Sequence, residues 1–129
     1  SVIPYCSEKK FYFKSHPAQP IRINKEISNI NSIDEPLNKL LNNVNTVICP
    51  ASSGAAVEAF YGNLKTIVYI SNGELNTSPL KNFKSVDFFS HSEELKNIIN
   101  KSYVSNENHS IFLVNEKIPK WNSFLKKLI

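Results

Sequence analysis

The chain predicts an α/β domain: a parallel sheet with helices on both faces. Three observations carry this. Short apolar runs rich in β-branched and aromatic residues alternate with segments whose apolar residues recur at helical spacing. Helix-start signals stand between them. The 129 residues suffice for one core, so residues 1–129 read as a single domain.

Taken in order, Lys10 to Lys14 (KFYFK) is aromatic-rich and strand-like. His16 to Pro20 (HPAQP) leaves that strand as a loop, because two prolines restrict it. Glu26 to Ile30 reads as a short strand. Ser32-Ile33-Asp34-Glu35 matches a capping box, with Leu37, Leu40, Leu41 and Val44 following on one helical face.

Asn45 to Cys49 is the next strand and Ser53 to Tyr61 the next helix, which Gly62 closes. Lys65 to Ile70 (KTIVYI) is a buried-type strand. Ser71 to Asn82 is a polar loop in which Asn72-Gly73 signals a turn. Ser85 to Phe89 is a short strand, and Ser90-His91-Ser92-Glu93 a second capping box before Leu95, Ile98 and Ile99. Val104 to Ser110 is loop-like, and Ile111 to Val114 is an apolar run that fits more than one structure. A last helix starts at Pro119, with Trp121, Phe124, Leu125 and Leu128 on one face and lysines opposite.

Composition narrows the function classes. A hydrophobic fraction of 41% and a charged fraction of 20% fit a folded globular chain rather than a disordered one. No apolar run approaches the roughly 20 residues that a membrane helix needs. Cys6 and Cys49 form no disulfide framework, and Cys49 lies in a buried run, which suits a reduced thiol in the cytoplasm. The net charge is +4, and every basic residue except Arg22 is lysine. That suits an anionic ligand, or a position beside anionic lipid at the inner face of the membrane. It argues against a nucleic-acid reader, since no arginine-rich stripe or aromatic-basic alternation is present. The chain contains no methionine, so the expectation is a piece of a longer protein.

The chemistry is concentrated in Thr46 to Gly62 (TVICPASSGAAVEAFYG). A strand ends at Pro50-Ala51, and Ser52-Ser53-Gly54 opens a helix of small residues. Free N–H groups, the positive helix end and serine hydroxyls make such a turn suited to phosphate. In parallel sheets, ligands bind beyond the carboxyl ends of the strands. His16 and Ser52-Ser53 both follow strands, so the expectation places them at one shared edge. The strands 10–14, 45–49 and 65–70 are then expected as neighbours.

Three segments resemble the C-terminal, nucleotide-binding half of GT-B glycosyltransferases, among them bacterial surface-carbohydrate enzymes and sialyl- or Kdo-transferase-like proteins. They are KSHPAQP at 14–20, ICPASSGAAVEAFYGNLKTIVY at 48–69 and GELNTSPL at 73–80. The first resembles the family's His-Pro motif. The second is similar to its Ser-Ser, small-residue, Glu-Ala, Gly and strand sequence. The third resembles its donor-side loop.

The resemblance implies a Rossmann-like domain, one half of a GT-B fold, that binds a CMP- or UDP-linked sugar for surface-polysaccharide synthesis. It assigns His16, Ser52 and Ser53 to the nucleotide phosphate, with His16 catalytic. It adds Gly54 at close approach and Glu58 toward the ribose. Glu74, Asn76, Thr77 and Ser78 become donor-loop contacts, with Gln19 a further candidate. The glycan acceptor, and usually the catalytic base, belong to a second domain that is not in this chain. No cofactor is implied. Asp-x-Asp and Gly-x-Gly-x-x-Gly are both absent from the sequence, and the three histidines lack companions at metal-ligand spacing.

Other readings stay open: half of a sugar-nucleotide epimerase, or a degenerate GT-B half that serves as a binding or assembly module. A serine hydrolase is disfavoured, because Ser52-Ser53-Gly54-Ala55 lacks the Gly-x-Ser-x-Gly elbow. His91 reads as a first-turn residue and His109 as a loop residue.

Overall fold

The structure, a computed structural model, describes residues 9–16, 18, 20, 21, 30–104 and 126. The sequence expectations for Gln19, for most of the 26–30 strand, for Ile111 to Val114 and for the stripe from Trp121 to Leu128 lie outside these residues, as do Cys6 and His109.

The elements run β1 (Phe11–Phe13), β2 (Ile30–Ser32), α1 (Leu37–Leu41), β3 (Thr46–Pro50), α2 (Ala55–Tyr61), β4 (Lys65–Tyr69), β5 (Asp87–Phe89) and α3 (Ser92–Ile99). All described strand pairs are parallel, so the fold is α/β and Rossmann-like. The strands form two sheets. One has the order β3-β4-β5 and the other is the pair β1-β2.

The expectation that β1 neighbours β3 is corrected here. The backbone groups of Phe11–Phe13 are met by Ile30–Ser32, in the register Phe11↔Ile30, and Ile33 N–H continues the ladder onto Phe13 O at 2.9 Å.

Side-chain alternation divides the three-stranded sheet into two faces. Val47, Cys49, Val68 and Phe88 share one face by register. Against it pack Ala56 and Phe60 of α2 together with Leu80, Phe83 and Val86 of the β4–β5 crossover. Small residues on α2 let the helix approach closely, and Phe60 meets Phe83 edge-on at 4.7 Å between centroids. The other face carries Ile48, Lys65, Ile67, Tyr69 and Phe89. Ile67 and Val68 are fully buried on opposite faces. Each such side chain contributes about 1.5–3 kcal/mol.

Lys65 starts β4 on this second face and is buried. Its ammonium donates to the carbonyls of Ile98 and Lys101, each at 2.6 Å, and to Ile99 at 3.4 Å. It thereby closes the C-terminal end of α3 against the sheet. Burial lowers its pKa, the carboxylate of Asp87 opposes that, and Lys9 and Lys101 reinforce it.

Two local expectations are corrected. Ser32 to Glu35 is no capping box: Ser32 belongs to β2 and α1 begins at Leu37, with Pro36 at its N-cap and no side-chain cap bond. Pro36 keeps the preceding residue out of the helical region, which postpones the start. The second capping box is displaced by one residue. His91 is the N-cap of α3, and Glu94 accepts from the N–H groups of Ser90 (2.7 Å) and His91 (3.3 Å). Glu93 instead pairs with Lys96 at 2.7 Å.

At the end of α2, Gly62 closes the helix as the sequence predicts. Gly62 is the C-cap at φ −72°, and the left-handed residue is Asn63 at φ 57°. Leu64 N–H donates to Ala59 O at 3.0 Å and Asn63 N–H to Phe60 O at 3.1 Å, which makes a Schellman motif.

No helix among the described residues is long and apolar enough to cross a membrane.

Candidate functional site

β3 and β4 end side by side, with Pro50 in register with Tyr69. Ala51 N–H donates to Tyr69 O at 2.9 Å, so the chain leaves β3 still tied to its neighbour. Ser53 N–H then bonds Pro50 O at 3.0 Å, closing a tight turn. The hydroxyl of Ser53 accepts from Ala55 N–H at 3.2 Å and supplies part of the helix cap. Gly54 is exposed, and a Cβ there would meet nothing within 4 Å. Ser52 is exposed. Among the described residues the N–H groups of Ser52 and Gly54 have no partner. Glu58 lies one turn into α2 and is exposed.

The chain leaves β4 at the same edge. Glu74 N–H donates to Ser71 O at 3.0 Å, with Gly73 at φ +84°, which makes a type II turn. Asn76 Oδ1 accepts from Ser78 N–H at 3.1 Å, and Ser78 Oγ from Leu80 N–H at 3.2 Å. Ser78 and Leu80 are buried and anchor the loop. Asn76 and Ser78 therefore shape the loop from within, whereas Glu74 and Thr77 face outward.

The serine turn and the 73–80 loop thus share the carboxyl edge of one sheet. His16 does not follow a strand of that sheet. It follows β1, on the two-stranded sheet, and is exposed. Its Nδ1 accepts from Ala18 N–H at 3.2 Å, which leaves Nε2 outward.

His91 does lie at the serine turn's edge, two residues beyond β5. The α3 start it caps is already occupied by an anion of the chain itself. The N–H groups of Ser90 and then His91 hold the Glu94 carboxyl below its ordinary value of 4.5. The α2 start has only the Ser53 hydroxyl, and its first turn holds a single acidic residue, Glu58. The two helix starts therefore differ: α3 is self-neutralised and α2 is open.

The sequence reading did not single out Tyr69, the last residue of β4. It is 39% exposed, whereas the four residues before it are buried, and its ring lies 5.3 Å from that of Phe89. Its signal was its place as the last ring-bearing residue of KTIVY, directly before the polar loop.

Among the described residues, no three His, Cys, Asp or Glu side chains gather as metal ligands. No family model, curated protein or solved structure matches the chain.

Proposed function

We propose that the chain is the donor-binding half of a glycosyltransferase for cell-surface polysaccharide, and that it binds a CMP- or UDP-linked sugar. The observation that carries this reading is the convergence of Ser52-Ser53-Gly54 and the 73–80 loop at the carboxyl ends of adjacent parallel strands. Unpaired N–H groups and hydroxyls there fit a diphosphate or monophosphate. Fixed donors of this kind stabilise the departing phosphate as its bond to the anomeric carbon breaks and the glycosidic bond to the acceptor forms, without a metal ion.

In this reading Ser52, Ser53 and Gly54 hold the phosphate, Glu58 lies toward the ribose, and Glu74 and Thr77 face the donor from the loop. His16, which follows β1 of the two-stranded sheet, is assigned the hydrogen bond to the leaving group. The acceptor glycan and the catalytic base come from another domain, so this chain alone gives no turnover. Its place is the cytoplasm, at the inner face of the membrane.

The test is ligand-detected NMR with CMP and UDP. Half a cleft should bind with a dissociation constant on the order of 1 mM, about 4 kcal/mol. Ser52→Ala with Ser53→Ala should weaken the signal, as should His16→Ala. His91→Ala should leave it unchanged, because the α3 start is held by Glu94. No binding by the intact chain defeats the reading. Binding that survives the paired serine change moves the site elsewhere.

A further inference from the structure

The last residues of the three strands stand in one row on one face of the sheet: Pro50 pairs with Tyr69, and Tyr69 with Phe89. Three ring-bearing side chains in register, on strands about 4.8 Å apart, make a row about 10 Å long, in which the Tyr69 and Phe89 rings are inclined by 49°. The row lies at the carboxyl edge, and Ser52 is two residues beyond Pro50. Phe89 is nearly buried and braces the Tyr69 ring, which stays open to solvent. One face of the Tyr69 ring thus packs on Phe89 while the rest stays available to a ligand.

We infer that the exposed ring of Tyr69, braced by the buried Phe89 and flanked by Pro50, is the surface on which the base of the nucleotide stacks. This rests on the nucleotide reading above and adds the part of the ligand which that reading leaves unplaced. A planar base has a π face whatever its identity, so a braced tyrosine can hold it without reading its edge. Tyr69 is then the residue that separates a nucleotide from a simple sugar phosphate.

The experiment compares CMP, UMP and ribose 5-phosphate on the intact chain, on Tyr69→Phe and on Tyr69→Leu, by titration with NMR detection. Thermal unfolding of each variant confirms that it is folded. Leucine keeps the cover over Phe89 and removes the π face. The expected result is nucleotide binding that Tyr69→Phe retains and Tyr69→Leu weakens at least about fivefold, the low end for one base–aromatic stack. Ribose 5-phosphate should bind more weakly than either nucleotide and should not respond to Tyr69→Leu. Nucleotide binding that is unchanged in Tyr69→Leu overturns the platform and leaves the phosphate site standing. Failure of all three ligands on the intact chain overturns both.

Discussion

Lys65 Nζ lies 2.6 Å from the carbonyl oxygen of Ile98, on a helix 33 residues further along the chain. The same ammonium reaches Lys101 O, so one side chain ties the amino end of β4 to the carboxyl end of α3. Lys65→Met keeps the stem and removes the donors. It should destabilise the fold by about 1–3 kcal/mol, because partly buried carbonyls lose a charged partner. Hydrogen exchange should rise first in the last turn of α3. An unchanged exchange pattern there would remove the anchoring role.

Asn63 holds a left-handed backbone and accepts a hydrogen bond from Tyr103 Oη at 3.1 Å. Asn63→Ala meets the left-handed penalty and loses that bond, at a cost of about 1–2 kcal/mol. Asn63→Gly relieves the backbone, so it should be clearly milder. Urea unfolding of the pair measures the difference. Equal losses would show that the backbone conformation is not what limits this position.

Cys49 is 8% exposed, and burial pushes its thiol from 9.0 up to about 11. The folded state thus holds the proton where the unfolded state has released it. Its stabilising contribution is complete below pH 9 and declines as pH rises from 9 to 11, by about 2–3 kcal/mol. Cys49→Ala should lack that alkaline decline, even though it is less stable at neutral pH. In a Cys6→Ser background, Cys49 should react with a thiol reagent at pH 8 about a hundred times more slowly than a free cysteine, and at the ordinary rate in denaturant. Fast labelling of the folded chain would contradict the burial.

Much of the three-stranded sheet is legible in the sequence. The alternation of VIC, AAVEAFYG and KTIVY fixes β3, α2 and β4 to within a residue or so, because burial period and small-residue packing agree there. Pairing between strands is less legible: nothing in KFYFK says that its partner is Ile30–Ser32 rather than β3, since a short aromatic strand accepts either. Caps failed where a neighbouring residue overrode the pattern, Pro36 in one case and the reach of Glu94 in the other. Lys65 is legible as the first residue of its strand, but its anchoring role is not, because its partners are backbone carbonyls that no side-chain pattern reveals. Of the candidate site, the serine turn and the loop were legible through their position after strands. The separation of His16 onto another sheet was not, because position after a strand does not specify which sheet that strand joins.

The register of the larger sheet also bears on how the chain folds. Thr46 pairs with Lys65 and Ile67 with Asp87, partners that lie about 20 residues apart in each case. Closing loops of that length costs little entropy for a parallel sheet, whose pairings are usually slower to reach. The β3–α2–β4 unit can therefore nucleate early, as can the β1–β2 pair, whose partners Phe11 and Ile30 are about as close in the chain. As the β3–α2–β4 nucleus also builds the serine turn, the proposed phosphate cradle would be among the first parts of the molecule to take shape.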